Sequence, residues 1–173
     1  MKRISKAHWI WGQFVDRDMD YLDSIKSRVN EKLKGPNFDI HLTLLGPFMS
    51  MDKYKINEIK KICTNLKQIE IVAKRYMTSN NFFTSFFIEI KKSSTLINFR
   101  NNLRSSLQEN QFSSFSPHVS LTYGNFPIKE KNIIKDELGD LNMKFILNKI
   151  CIVDVNEDNF SWKIINTFVL QET

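Results

Sequence analysis

Two short stretches of this chain pair an imidazole with a hydroxyl at the spacing of strand neighbours. They are His41-Leu42-Thr43 and His118-Val119-Ser120. In a strand, alternate side chains share a face. His41 and Thr43 therefore point one way, as do His118 and Ser120. Leu42, Leu44, Val119 and Leu121 point the other way and can anchor each strand in a core. The chain has only three histidines, and two of them stand in these pairs. Imidazole titrates near neutral pH and can give or take a proton. A hydroxyl can donate to an anionic oxygen. Two such pairs could meet and grip one anion.

The elements that must carry them can be read from periodicity and breakers. Residues 7–15 read as a strand with Trp9, Trp11 and Gln13 on one face. A helix over about residues 18–34 follows, with Leu22, Ile25, Val29 and Leu33 as its stripe and Gly35-Pro36 as its stop. The first histidine strand spans 39–45 and is broken by Gly46-Pro47. Ser50 is a cap for a helix reaching about residue 66. Strands are expected at 68–77 and 82–90. Ser93 or Ser94 opens a helix with Leu96, Phe99, Leu103 and Leu107 inward. A polar loop over 110–116 leads to the second histidine strand, 117–123. A short helix at 129–138 and two strands, 143–155 and 160–169, complete the chain as a hairpin over 156–159. The histidines are 77 positions apart, close to half of 173 residues. This suggests a single domain, 1–173, of two similar lobes whose central strands each donate one pair.

Composition sets limits. A hydrophobic fraction of 42% supports an ordinary core, and 14 phenylalanines suggest buried rings or an aromatic-lined site. No apolar run of about 18 residues marks a transmembrane span. The basic N-terminus lacks the pattern of a signal peptide. A cytoplasmic monomer with no membrane partner is expected. The two cysteines, Cys63 and Cys151, form no CxxC pattern and read as buried, reduced thiols. No cofactor and no metal site is expected. The net charge of +6 favours anionic partners in general. His8 lies outside both pairs and reads as an exposed residue near the terminus. Gly46 and Gly124 read as strand ends with room for a phosphate.

The wider segments are Phe38-Asp39-Ile40-His41-Leu42-Thr43-Leu44-Leu45-Gly46 and Phe115-Ser116-Pro117-His118-Val119-Ser120-Leu121-Thr122-Tyr123-Gly124. They resemble the two signature motifs of the two-histidine (2H) phosphoesterase superfamily, and within it the cyclic phosphodiesterase branch. Phenylalanine and proline before the second histidine, and tyrosine-glycine after it, are typical of that branch. Trp11 and the aromatic stretch Phe82-Phe83 also sit where it carries such residues. One departure is Ile40, where the branch often has proline.

The resemblance implies a bilobal α+β fold with two antiparallel sheets and flanking helices around a central cleft. It implies metal-independent work on 2′,3′-cyclic phosphates, ADP-ribose 1″,2″-cyclic phosphate or 2′,5′-linked oligonucleotides. It makes His41 and His118 the catalytic residues, with His118 as base and His41 as acid. Thr43 and Ser120 would bind the phosphate oxygens, and Tyr123, Trp11 and Phe83 would contact the substrate. The partner would be a nucleotide or an RNA-derived phosphodiester. Two rivals stand beside a cyclic phosphodiesterase. One is a 2′,5′-oligoadenylate phosphodiesterase or RNA-end processing enzyme; the other is a non-catalytic RNA- or nucleotide-binding module.

Overall fold

The computed structural model describes residues 6–109, 114–156 and 161–172. Most of the loop expected at 110–116 and most of the turn expected at 156–159 lie outside them. Seven strands and four helices are arranged in the order β1 (Lys6–Phe14), α1 (Asp16–Leu33), β2 (Leu42–Phe48), α2 (Lys53–Thr64), β3 (Ile69–Thr78), β4 (Phe86–Ile90), α3 (Ser94–Ser106), β5 (His118–Thr122), α4 (Ile128–Leu138), β6 (Lys144–Asn156) and β7 (Ser161–Val169). The mixed α and β content and the antiparallel pairing agree with the expected class.

The strands hydrogen-bond in the order β1-β2-β5-β4-β3-β6-β7, and β1 also pairs with β6. The sheet thus closes into a barrel-like arrangement. Two antiparallel groups share it, β2-β1-β6-β7 and β5-β4-β3, and they meet at two seams. At one, the long strand β6 pairs with β3 near its start and with β1 and β7 beyond. At the other, β2 and β5 touch through one residue pair, Leu42 opposite Val119.

Helices cover the outer faces. In α1, Asp16 and Asp18 favour the positive N-terminal end, and Leu22, Ile25, Val29 and Leu33 are buried at helical spacing. Lys34 ends it in a left-handed conformation, its N–H bonded to the carbonyl of Asn30. This helix packs on β5, across the seam from β2, while α3 packs on β2. Asn30 is the visible tie: it accepts from the Thr122 hydroxyl at 2.7 Å and donates to the carbonyl of Leu121 at 3.2 Å. Among the described residues no helix is long and apolar enough to cross a membrane.

Three elements start or end elsewhere than the sequence reading has them, and one residue differs in exposure. Asp52, not Ser50, caps α2, its carboxylate accepting from the N–H of Lys55 at 2.9 Å. The strand expected over 82–90 starts only at Phe86. Asn81 instead caps a 3₁₀ turn at Phe82–Thr84 by accepting from the N–H of Phe83. The first histidine strand begins at Leu42 and runs through Gly46-Pro47. Residues 38–40 stay outside the ladder because side chains take their carbonyls. Lys26 takes that of Phe38, His41 that of Asp39 and Gln13 that of Ile40. His8 lies within β1, opposite Asp154 and Phe48, half-buried rather than exposed. Both cysteines are buried and free; burial pushes Cys63 up to about 12.

The motif glycines make room for rings. A Cβ on Gly46 would fall 2.7 Å from the Trp9 ring, and one on Gly124 2.4 Å from the Phe126 ring. Both have φ near +140°, a region costly for other residues (137° and 142°). Gly46→Ala is expected to lower stability by about 1–3 kcal/mol through backbone strain and displacement of Trp9. Urea denaturation measures this, and an unchanged midpoint and slope would contradict it.

Candidate functional site

The single Leu42–Val119 pair organises the site. Because the two strands run antiparallel, His41 lies toward Ser120 and Thr43 toward His118. Leu42 and Val119 are fully buried on one face, which turns their neighbours to the other. With no further ladder between β2 and β5, the strands splay there. A cavity of about 250 Å³ opens, lined by Trp9, Trp11, His41, Thr43, Phe83, Thr84, His118, Tyr123, Val155 and Trp162.

Both imidazoles are held the same way. His41 Nδ1 lies 2.7 Å from the carbonyl of Asp39, and His118 Nδ1 lies 2.8 Å from that of Ser116. A carbonyl only accepts, so each Nδ1 carries the proton and each Nε2 is left as the basic nitrogen. The carbonyl stands two residues before the histidine in both cases, so the two segments repeat in conformation as they do in sequence.

The two rings differ in environment. His41 is buried and stacks on Trp11, with centroids 3.6 Å apart and planes 6° from parallel. Burial lowers its pKa to about 4; the bond to Asp39 opposes this, and the charges of His118 and Lys26 add to it. His41 is therefore neutral at pH 7 in the unliganded protein. His118 is half-buried, with Phe87 edge-on at 5.3 Å.

The hydroxyls also differ. Thr43 lines the cavity. Ser120 is buried behind the lining, its hydroxyl donating to the carbonyl of Phe83 at 3.2 Å. Of the aromatic candidates, Trp11, Phe83 and Tyr123 all reach the cavity. Tyr123 does so because β5 ends at Thr122, which frees it from strict alternation. Its ring stacks on Phe38 at 4.0 Å and meets Phe83 at 5.5 Å.

Sequence reading did not name Trp9, Thr84, Val155 or Trp162 as lining residues. Trp9 was within reach of the period-2 argument that placed it beside Trp11. Trp162 was not, since only the pairing of β7 on β6 brings it near Phe38 and Tyr123 (both 6.2 Å). All three tryptophans of the chain thus line one cavity. Among the described residues, no group of three or more His, Cys, Asp or Glu side chains could hold a metal ion.

A family model of the 2′-5′ RNA ligase superfamily matches residues 17–159, most of the chain. The chain belongs to that superfamily, the 2H phosphoesterases. Solved structures of similar fold include TT0787 of Thermus thermophilus, at 10% identity and a TM-score of 0.64, covering 96% of this chain and 98% of that one. E. coli LigT complexed with 3′-AMP is also similar, at 10% identity and a TM-score of 0.57, covering 97% and 99%. A third, described as a phosphoesterase, gives 10% and 0.57, covering 96% and 99%. At such identities these structures show a shared 2H phosphoesterase fold and nothing finer. No curated protein matches the chain.

The depressed pKa of His41 has a thermodynamic consequence. The unfolded chain takes up this proton below about pH 6.5, and the folded protein refuses it until about pH 4. Stability is therefore lost as pH falls through that window, by about 3 kcal/mol in all. His41→Asn lacks the effect, so its stability should fall less than that of wild type between pH 7 and pH 4. Parallel profiles in urea unfolding would show that His41 is not buried in this way.

Proposed function

We propose that this protein hydrolyses a nucleotide cyclic phosphate, either a 2′,3′-cyclic phosphate or ADP-ribose 1″,2″-cyclic phosphate, by metal-independent acid–base catalysis. The observation that carries this reading is the Leu42–Val119 pair, flanked by two imidazoles locked through Nδ1 with Nε2 left basic. Opposed across one phosphorus, such rings suit in-line displacement. One takes a proton from water as its oxygen bonds to phosphorus. The other gives a proton to the ribose oxygen as its bond to phosphorus breaks.

The resemblance assigns the base to His118 and the acid to His41. His41 is neutral in the free protein, so it can act as acid only after the phosphate anion raises its pKa. Substrate binding and protonation of His41 are coupled in this reading. Thr43 donates to a non-bridging oxygen. Ser120 can do the same by leaving the carbonyl of Phe83 for another staggered rotamer, at about 1 kcal/mol.

Rings on several sides suit a flat nucleobase, since stacking needs no sequence-specific contact. Trp11, Phe83 and Tyr123 are the proposed substrate contacts. The volume sits near the lower end for small-molecule sites, which favours one nucleoside over a polymer track. LigT, a structural neighbour, has been solved with 3′-AMP, with NADP+ and with ATP, which supports a nucleotide ligand.

The purified protein should be assayed on 2′,3′-cyclic nucleotides, ADP-ribose 1″,2″-cyclic phosphate and 2′,5′-oligoadenylate. Turnover of one of the cyclic phosphates is expected to survive EDTA and to show a bell-shaped pH profile. His41→Ala and His118→Ala should each lose about 10²–10⁴-fold, and Thr43→Ala about 10²-fold. Loss of activity in EDTA that a divalent metal restores would overturn the mechanism. Cleavage of 2′,5′-oligoadenylate alone would favour the RNA-processing reading, and binding without turnover the binding-module reading.

A further inference from the structure

Each histidine follows a phenylalanine by three residues: Phe38 before His41, Phe115 before His118. Behind each phenylalanine ring the fold buries a cation. Lys26 of α1 is 7% exposed, and its Nζ lies 4.5 Å from the centroid of Phe38. Arg100 of α3 is 6% exposed, and its guanidinium carbon lies 4.6 Å from the centroid of Phe115. The two cations come from different helices and differ in chemistry, yet occupy matching places.

Each also binds backbone at a motif. Lys26 donates to the carbonyl of Phe38, and to Asn37 Oδ1 at 3.2 Å. Arg100 Nε donates to the carbonyl of Leu44, next to Thr43, at 3.0 Å. Arg100 therefore touches both motif segments, one through the ring and one through the backbone. Taking a cation out of water costs several kcal/mol, and even well-placed partners often repay only part of that. Apolar residues would fill the same space at lower cost. Two buried cations at equivalent positions thus point to a role beyond packing.

We propose that Lys26 and Arg100 are positioning residues, each pinning the ring that begins its Phe-x-x-His segment and so aiming that segment's imidazole. The link is short. In one segment the pinned Phe38 is followed directly by Asp39, whose carbonyl holds His41 Nδ1. In the other, Phe115 is followed by Ser116, whose carbonyl holds His118 Nδ1. A segment free to slide or turn would release that carbonyl and let the ring rotate away from the phosphate. Displacements of about 1 Å at a catalytic group can cost 10²-fold in rate.

The test uses Lys26→Met and Arg100→Met in the full chain, with two readouts. Nitrogen-15 NMR of the histidine rings reports the tautomers with no substrate present. Lys26→Met is expected to disturb the His41 ring signals and spare those of His118, and Arg100→Met to disturb those of His118 more than those of His41. Kinetics on the cyclic phosphate turned over by wild type should show kcat lowered about 10- to 100-fold with KM within about threefold. This second readout alone rests on the phosphodiesterase reading. Were wild type inactive on every substrate, that reading would fail while the ring signals still decided the present one.

Folded variants with wild-type ring signals overturn the proposal, as do variants that disturb both rings alike. A wild-type kcat overturns it too. Should the methionine variants not fold, Lys26→Arg and Arg100→Lys replace them; these keep the charge and change its reach. A loss of kcat of about threefold or more, with the same uneven effect on the two rings, supports the proposal, and wild-type behaviour overturns it.

Discussion

One antiparallel residue pair, Leu42 with Val119, decides where the chemistry can happen. It joins two strand groups whose other named-strand pairing runs through β6. It also sets the four motif side chains in relation to one another, because strand alternation turns the flanking residues to the face opposite two buried aliphatics. Shifting either strand by one residue would send its histidine into the core and its leucine or valine into the cavity. The apolar residues on the far face therefore protect the site as firmly as any polar contact within it. The brevity of the pairing matters as well: strands that splay after one pair leave a space, and a continued ladder would close it.

Around that pair the protein spends polar groups on holding backbone in place. Three successive carbonyls, of Phe38, Asp39 and Ile40, are taken by side chains rather than by a neighbouring strand. The 3₁₀ turn at Phe82–Thr84 is fixed by Asn81, and Lys131, fully buried, donates to the carbonyl of Ser79 at the start of the same loop. Rings then fill the spaces between these fixed segments. Trp11 covers His41, Phe38 supports Tyr123, and Gly46 leaves room for Trp9. The result is a site with one imidazole deep and neutral and the other more open. The asymmetry arises from burial, since the two local backbone conformations are alike.

Much of this was legible in the sequence. Period-2 alternation identified both His-x-hydroxyl pairs and the anchoring residues behind them, and helical spacing gave the buried stripe of α1. The flanking residues identified the superfamily. What the sequence did not show has two kinds of cause. Ser50 lost the cap of α2 to Asp52, and Gly46-Pro47 continued a strand instead of breaking it. Gly46 leaves room for Trp9 of β1, and the Ser120 hydroxyl donates to a carbonyl 37 residues earlier in the chain. The cap of α2 is a local competition between two nearby residues, whereas the other outcomes depend on partners that tertiary structure supplies. The same holds for Trp162, Lys26 and Arg100, whose neighbours are far away in sequence. Local pattern reveals which residues can do chemistry, whereas long-range packing determines which atoms they meet.

The central claim is that both histidines serve one phosphorus in one step. The most direct measurement is a double-mutant comparison of His41→Ala, His118→Ala and the two combined, on the cyclic phosphate that wild type turns over. Groups that act as a unit are non-additive. The combined variant is therefore predicted to match the weaker single variant within a few-fold in kcat/KM. Losses that multiply would mean that the two imidazoles act independently and would contradict the account.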